Sequence, residues 1–384
     1  MKLAIAKERR ANESRVAATP DTVKRLKGLG LDIVVEAGAG AGASISDQAY
    51  ADAGARIAPD ATSALQDADI VLKVARPMTA AEGGADEVQA MKRGAVLVAM
   101  LDPYRNRDLV KALAAQGVSA FAMELVPRIT RAQSMDVLSS QANLAGYKAV
   151  LDATAEFGRA FPMMMTAAGT IAPAKVFVMG AGVAGLQAIA TARRLGAVVS
   201  ATDVRPAAKE QVESLGASFV MVESEETKQA ETSGGYAKEM SEDYKRKQAA
   251  LVAEHIKKQD VVICTALIPG RPAPKLVSAD MVRSMKPGSV IVDLAVENGG
   301  NCELSEAGKV VDANGVKIIG WSNVPARIAV DATALYARNL FNFLGLIVAK
   351  DGTLKIDPED EIIKGSLLTR DGRVVHPAFA EAAA

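Results

Sequence analysis

The segment that most constrains the fold is the glycine-rich run GAGVAG at residues 180–185. It stands directly between KVFVM, an apolar strand-like run, and LQAIATARRLG, which has helical periodicity. In this spacing the first glycine permits a tight turn, the second lets the backbone approach a pyrophosphate, and the third lets the helix pack on the strand. The helix N-terminus also favours phosphate charge. The sequence therefore predicts a dinucleotide-binding loop formed by Gly180, Ala181, Gly182, Val183, Ala184 and Gly185.

An acidic residue follows this loop at the spacing that the motif requires. Asp203 ends the next predicted strand, eighteen residues past Gly185. A carboxylate at this place accepts hydrogen bonds from the adenosine ribose and repels a 2′-phosphate, which favours NAD(H) over NADP(H). We expect Asp203, Val204 and Arg205 to contact this end of the dinucleotide. Arg205 keeps the NADP(H) alternative open, because an arginine here can accommodate a 2′-phosphate.

Two further segments follow predicted strands, on the side of such a sheet where ligands bind. ALIPG at 266–270 follows VVICT, and ENGG at 297–300 follows VDLA. Ala266, Leu267 and Glu297 are therefore candidate cofactor contacts, and ordinary turn chemistry is the alternative. The glycines of AGAGAG at 37–42 also follow a strand, but their GxGxG spacing predicts a flexible turn rather than a second dinucleotide site.

Short apolar runs alternate with helical patterns along the whole chain. This alternation predicts an α/β fold of two doubly wound Rossmann-like domains with parallel sheets and a cleft between them. We place the first domain at residues 1–135 and 330–384, including the C-terminal tail, and the NAD(H)-binding domain at 136–329. The predicted strands are Leu3–Ala6, Ile33–Glu36, Ile70–Val74, Ala95–Leu101, Ala120–Leu125, Lys175–Met179, Val198–Thr202, Ser218–Val222, Val261–Thr265, Val290–Leu294 and Val316–Ile319.

Composition narrows the class of protein. Lys and Arg number 45, as do Asp and Glu, so the formal net charge is zero and no basic field for nucleic acid is expected. The N-terminal residues carry no apolar signal segment, and no run is long and apolar enough to cross a membrane. The two cysteines predict neither a metal site nor a disulfide framework. We expect a cytoplasmic protein without a metal.

The scarcity of histidine bears on the chemistry. Only His255 and His376 exist. A dehydrogenase that oxidises an alcohol or an amine needs a proton carrier, most often histidine. We expect His255 at an exposed helix end and His376 in the tail, so neither is placed for this role. Lys73 or an acidic side chain remains an alternative proton carrier.

Two polar segments are candidates for binding. RITRAQSMD at 128–136 supplies both donors and acceptors, as a nicotinamide carboxamide requires, although a polar loop with a helix cap has the same composition. The charge-rich segment 223–248 contains Gly234, Gly235 and Tyr236. It is either a solvated loop or a lid that delivers Tyr236 to a ligand.

Four segments, KERRANESRVAATP, ADIVLKVARP, GAGVAG and MKPGSVIVDLAVENGG, together resemble the superfamily shared by alanine dehydrogenase and the NAD(H)-binding component of proton-translocating NAD(P) transhydrogenase. RITRAQSMDVLSSQANLAGYKAV is similar to the nicotinamide-site loop of transhydrogenase, and SGGYAKEMS resembles its mobile lid. Alanine dehydrogenases carry a catalytic His-Leu pair where this chain has AMLDPYRN, and Asp where Glu297 stands. Arg15 and Lys73 match their pyruvate-contacting positions.

The resemblance implies a division of labour between subunits. Hydride passes directly between NADH and NADP⁺, the NADP(H) is bound by a separate component, and a membrane component couples transfer to protons. Arg128, Gln133, Asp136 and Ser139 would line the nicotinamide end, with Arg128, Gln133 and Asp136 serving catalysis, and Tyr236 would close over NAD(H). A homodimer held on the cytoplasmic membrane face through its partners is implied.

Such chemistry agrees with the scarcity of histidine, because hydride exchange between two nicotinamides moves no proton at the reacting carbons. The alternatives are an alanine-type amino-acid dehydrogenase and a non-catalytic NAD-binding protein.

Overall fold

The computed structural model describes residues 1–84, 86–205, 207–222, 241–268, 270–349 and 351–380. The chain forms two compact units, which we call unit 1 and unit 2. Unit 1 comprises Met1–Gln141 and Ala326–Ala384, and unit 2 comprises Ala142–Pro325. Among the described residues, no helix has the length and apolar character needed to span a bilayer.

The strands of the described residues are, in chain order, β1 Lys2–Ile5, β2 Asp32–Glu36, β3 Arg56–Ala58, β4 Ile70–Leu72, β5 Val96–Ala99, β6 Ser119–Ala122, β7 Met164–Thr166, β8 Gly169–Ile171, β9 Lys175–Met179, β10 Val198–Thr202, β11 Ser218–Phe219, β12 Val261–Cys264, β13 Val290–Asp293, β14 Lys309–Ala313, β15 Val316–Gly320, β16 Leu367–Arg370 and β17 Arg373–Val374. The α-helices are α1 Pro20–Gly28, α2 Asp47–Asp52, α3 Ala61–Leu65, α4 Glu87–Ala90, α5 Arg107–Ala115, α6 Val137–Glu156, α7 Val183–Arg194, α8 Ala207–Ser214, α9 Glu242–Ile256, α10 Ala279–Ser284, α11 Ala329–Ile347 and α12 Glu361–Ser366.

Unit 1 is built on an eight-stranded sheet in the order β17-β16-β6-β5-β4-β1-β2-β3. The strands from β1 to β6 pair in parallel, and the order reverses between β4 and β1, as in a doubly wound fold. Leu3 and Ile5 belong to one buried core cluster and Ala4 to another, because successive side chains of a strand point to opposite faces. A sheet buried on both faces explains the continuous apolar runs of the sequence.

Unit 2 repeats this architecture with a seven-stranded sheet in the order β11-β10-β9-β12-β13-β15-β14. All pairs but the last are parallel. Val261 and Ile263 pack into one cluster, and Val262 and Cys264 into the cluster on the other face. The carboxyl ends of β9, β10, β12 and β13 lie along one edge of this sheet, where ligands bind in such folds.

The predicted fold of two Rossmann-like α/β domains is confirmed, and local signals explain its accuracy. At the start of α1, Thr19 accepts a hydrogen bond from the Thr22 amide at 3.2 Å, and Pro20 occupies the first helical position. Gly30 follows the helix with φ of +79°. Caps and stops of this kind are encoded within a few residues, so that sequence reasoning finds them.

The antiparallel edge strands were not predicted. β14 pairs antiparallel with β15, and β16 pairs antiparallel with both β6 and β17. β14 is mostly exposed or half-buried and lacks the apolar run of a central strand. In the tail, Asp371 and Gly372, with φ of +51° and +78°, form the turn that joins β16 to β17 as a tight hairpin.

One local expectation was wrong. His255 lies in the last turn of α9, as predicted, but it is half-buried rather than exposed: its ring lies 4.6 Å from that of Phe177, and its Nε2 lies 2.8 Å from Ser200 Oγ. Burial lowers the pKa of His255. The AGAGAG segment begins with a turn at residues 37–40. Its glycines are closely packed: a Cβ at Gly42 would lie 2.5 Å from the Ser14 carbonyl oxygen, and a Cβ at Gly40 would lie 2.7 Å from the Ile45 carbonyl oxygen.

Candidate functional site

The GAGVAG loop connects β9 to α7 in unit 2. Gly180 has φ of +101°, and a Cβ there would approach Thr265 Oγ1 to 2.7 Å. A Cβ at Gly185 would lie 1.8 Å from the Gly180 carbonyl oxygen, so helix and strand are in backbone contact. A Cβ at Gly182 would meet nothing within 4 Å. The backbone at Gly182 therefore faces open space that a phosphate group can enter, directly at the N-terminus of α7.

Two further residues of unit 2 hold this loop in place, and sequence reasoning missed both. The Thr265 hydroxyl donates to the Gly180 carbonyl oxygen at 2.9 Å. On α6, a Cβ at Gly146 would lie 2.0 Å from the Ala184 carbonyl oxygen, so α6 packs directly on the first turn of α7. A glycine within a helix costs about 1 kcal/mol of stability relative to alanine. A glycine inside the predicted helix was therefore the sequence signal that another segment packs closely against Gly146.

Asp203 follows β10 and is fixed by the protein itself. One carboxylate oxygen accepts from the Ala181 amide at 2.7 Å, which ties the acid to the GAGVAG loop. Arg205 donates from its amide at 2.8 Å and from its guanidinium to both oxygens at 2.9 Å. A carboxylate offers about four acceptor positions, so Arg205 occupies positions that ribose hydroxyls would use. Val204, between them, packs with Tyr244.

The loops after β12 and β13 are joined by a buried asparagine. Asn301 accepts from the Ala266 amide at 3.0 Å and donates to the Ala266 carbonyl at 2.9 Å, so it fixes both backbone groups of Ala266. Leu267 is exposed beside it. Glu297 is exposed and accepts from the Asn323 amide at 2.9 Å. Asn301 directly follows the two glycines of ENGG, and asparagine side chains often bond to the backbone of turns. This was the sequence signal that could have identified Asn301.

In unit 1, the structure gathers the four predicted residues Arg128, Gln133, Asp136 and Ser139 around one pocket of about 420 Å³. Asp136 accepts from the Ser139 amide at 2.9 Å and from its hydroxyl at 2.5 Å, and therefore caps α6. The cap is therefore present, and Asp136 and Ser139 also line the pocket. Arg128 and Gln133 are exposed at the same pocket. The arrangement offers donors and acceptors to a planar amide.

Arg131 and Lys73 both form ion pairs within unit 1. Arg131 forms a bidentate ion pair with Asp360 at 2.7 and 2.9 Å, which ties the pocket loop to α12. Lys73 is fully buried in ion pairs with Glu8 at 3.3 Å and Glu87 at 3.1 Å. These two contacts hold the end of the Lys73 side chain inside unit 1. Tyr236 and the segment 223–240 lie outside the described residues.

The strand order, the loop geometry at Gly180–Gly185 and the acid at Asp203 together define a Rossmann-type nucleotide-binding protein. The family can be given as well. The chain belongs to the alanine dehydrogenase/PNT family, whose N-terminal domain model matches residues 4–145 and whose C-terminal domain model matches residues 149–377.

Among its relatives, the first part of the NAD(P) transhydrogenase alpha subunit of Rhodospirillum rubrum is 60% identical over 99% of both chains. The crystal structure of transhydrogenase from Sinorhizobium meliloti is 59% identical, covers 98% of this chain and 100% of its own, and superposes with a TM-score of 0.88. L-alanine dehydrogenase is 27% identical over 99% of this chain and 98% of its own, with a TM-score of 0.81. The chain is thus a homologue of the transhydrogenase alpha subunit.

Proposed function

We propose that this chain is the NAD(H)-binding subunit of a proton-translocating transhydrogenase, and that it presents NADH for direct hydride transfer to NADP⁺ on a separate component. The GAGVAG loop holds the pyrophosphate, Asp203 and its neighbours hold the adenosine ribose, and the pocket of unit 1 holds the nicotinamide. The R. rubrum relative is named as one portion of an alpha subunit, which supports a division of the activity among chains.

The observation that carries this proposal is the pocket that brings together Arg128, Gln133, Asp136 and Ser139. Hydride transfer between two nicotinamides needs no proton carrier, and its barrier is lowered by positioning alone. Hydrogen bonds to the carboxamide group restrict the rotation of the nicotinamide. The nicotinamide ring then presents one face to the hydride acceptor. Arg128 and Asp136 fit this binding role, and Gln133, exposed at the same pocket, fits contact with the partner's nucleotide.

The partners of the proposed complex are an NADP(H)-binding component and a membrane component that translocates protons. The chain would act as a homodimer, held on the cytoplasmic face of the membrane through these partners. The balance of 45 basic and 45 acidic residues gives no support to nucleic acid as a partner. In this assembly Arg128 and Gln133 present exposed polar groups to the transfer site.

Gln133→Asn is expected to slow hydride transfer at least about tenfold while NADH affinity stays within twofold, the pattern of an interaction made only in the transition state. The shorter side chain keeps the amide but withdraws it by one methylene. Steady-state transfer is measured with the purified NADP(H)-binding component, and NADH affinity by equilibrium titration. Gln211→Asn, at an exposed position of α8, is the matched control. A variant that loses NADH binding in proportion to rate would contradict this role.

The cofactor preference is expected to depend on the Asp203–Arg205 pair. NADH should bind at least about tenfold more tightly than NADPH, because a 2′-phosphate beside a carboxylate costs more than about 1.4 kcal/mol. Asp203→Ala should weaken NADH and narrow the ratio of the two dissociation constants. Arg205→Gln should widen the ratio, since it removes the cation that offsets the carboxylate. Equal affinities in the wild type would overturn the assignment to NAD(H).

Alanine dehydrogenase activity is the second candidate, because an L-alanine dehydrogenase shares the fold and Arg15 and Lys73 match its substrate positions. His376, the one histidine outside unit 2, lies in the tail with Nε2 3.2 Å from the Gly365 carbonyl oxygen. Incubation with pyruvate, ammonia and NADH separates the two candidates, since oxidation of NADH in this mixture requires no partner. A non-catalytic NAD-binding protein would show activity in neither assay.

A further inference from the structure

A series of hydrogen bonds in unit 1 begins at the buried residue Arg15, which is 4% exposed. Its Nε and Nη2 donate to the two carboxylate oxygens of Glu13 at 2.8 and 2.6 Å. Its Nη1 donates to Gln141 Oε1 at 2.8 Å. Glu13 thus fixes the guanidinium plane, and the guanidinium in turn fixes the side chain of Gln141, which is 126 residues away in sequence.

Gln141 lies in α6, two residues after the pocket residue Ser139. Its Nε2 donates to the Ala332 carbonyl oxygen of α11 at 3.1 Å and to Ser140 Oγ at 3.3 Å. The Ser140 hydroxyl contacts Asn339 Oδ1, also on α11, at 2.8 Å. The first turns of α6 are therefore tied to α11 by side chains that are themselves held by Arg15.

The same series reaches the turn before α6. Asn339 Nδ2 donates to the Ser134 carbonyl oxygen at 2.8 Å, and Asn342 Nδ2 donates to that oxygen at 3.0 Å. Ser134 stands directly after Gln133, inside the 3₁₀ turn Thr130–Met135. Short 3₁₀ turns have poor hydrogen-bond geometry of their own, so contacts from outside decide how firmly they are held.

We propose that Arg15 and Gln141 are positioning residues for the pocket of Arg128, Gln133, Asp136 and Ser139. The inference rests on the proposed function of that pocket. A satisfied buried polar network rigidifies its members, and removal of one member takes a hydrogen bond from each of its partners. Arg15, a residue matched to a substrate contact in alanine dehydrogenases, here holds the loop that would orient the nicotinamide.

The first test measures amide hydrogen exchange in the ligand-free protein. Gln141→Leu removes the acceptor of Arg15 and the donor to Ala332, and exchange over residues 130–140 should accelerate about tenfold, as expected for a lost buried hydrogen bond. Asn342→Ala, which removes one of two donors to Ser134, is a milder variant and should give a smaller increase. Tyr50→Phe is the matched control, because it deletes a different buried hydrogen bond of unit 1, from the Tyr50 hydroxyl to the Ala18 carbonyl at 2.7 Å.

The second test compares NADH with ADP-ribose, which has the adenosine and pyrophosphate but no nicotinamide. Gln141→Leu should weaken NADH about tenfold and leave ADP-ribose within twofold. Gln141→Glu keeps an acceptor for Arg15 but loses the donor to the Ala332 carbonyl oxygen, so it should recover only part of the loss. Unchanged exchange over 130–140, an equal increase in Tyr50→Phe, or an unchanged ratio of NADH to ADP-ribose affinity would overturn the inference. A wild-type protein that binds the two ligands equally would instead contradict the proposed role of the pocket.

Discussion

Replacement of Gly185 by valine is expected to weaken NADH binding more than about 100-fold, a loss of roughly 2.7 kcal/mol. The Cβ alone would lie 1.8 Å from the Gly180 carbonyl oxygen and 3.2 Å from Thr265 Oγ1. A shift of Gly180 would break the hydrogen bond by which Thr265 holds that carbonyl at 2.9 Å. We therefore expect the strain to move α7 away from β9, together with the loop amides that are proposed to bind the pyrophosphate.

Equilibrium titration of the variant with NADH and with ADP-ribose measures this loss. Both ligands should weaken equally, since they share the pyrophosphate. Gly158→Val is the matched control, because a Cβ at Gly158 meets nothing within 4 Å. Thermal unfolding, followed by circular dichroism, must show that the Gly185 variant is folded at the titration temperature. Wild-type affinity in that folded variant would mean that the loop does not hold the pyrophosphate.

The isolated chain is expected to transfer hydride from NADH to NADP⁺ at a negligible rate, and addition of a purified NADP(H)-binding component should raise the rate at least about 1000-fold. Only one fingerprint and one acidic ribose partner occur in the sequence, so the second nucleotide has no comparable site. Binding of both nucleotides within one complex replaces a rare solution encounter by a high effective concentration. The stimulation should occur without a membrane if, as proposed, the hydride step involves only the two nucleotide-binding components.

The control for this prediction is a mixture that contains the partner and the Gly185→Val variant, which should remain inactive. Full activity of the isolated chain would contradict the division of sites. Hydride transfer from NADH to NADP⁺ in a mixture that contains the partner but not this chain would also contradict it.

The sequence predicted the features of the site that depend on local pattern. The GAGVAG loop, the strand before it and the acid after the next strand lie within one βαβ unit, and their geometry follows from spacing. The ion pair between Asp203 and Arg205 lies within three residues, but which acceptor positions it fills depends on side-chain conformation. For this reason the sequence left the choice between NAD(H) and NADP(H) open. Because Arg205 fills acceptor positions of the Asp203 carboxylate, ribose hydroxyls would have to compete with Arg205 for them.

The contacts that hold the loop and the pocket could not be predicted in this way. Gly146 meets Ala184 because two helices cross at a point that neither helix encodes alone. Gln141 meets Arg15 across 126 residues of chain, through packing of α6 against elements far away in sequence. His255 was misplaced for a related reason: its helix faces the sheet through Val252 and Ile256, and a single histidine carries no signal of which face it joins.

The most direct test of the proposed function follows the hydride itself. NADH labelled with deuterium at the transferred C4 position is mixed with NADP⁺, this chain and the purified NADP(H)-binding component in ordinary water. Direct transfer predicts that the deuterium appears in NADPH without loss to solvent, and that the label is absent from NADPH when this chain is omitted. Release of the deuterium into water, or unlabelled NADPH formed at the full rate, would contradict direct transfer between the two nucleotides.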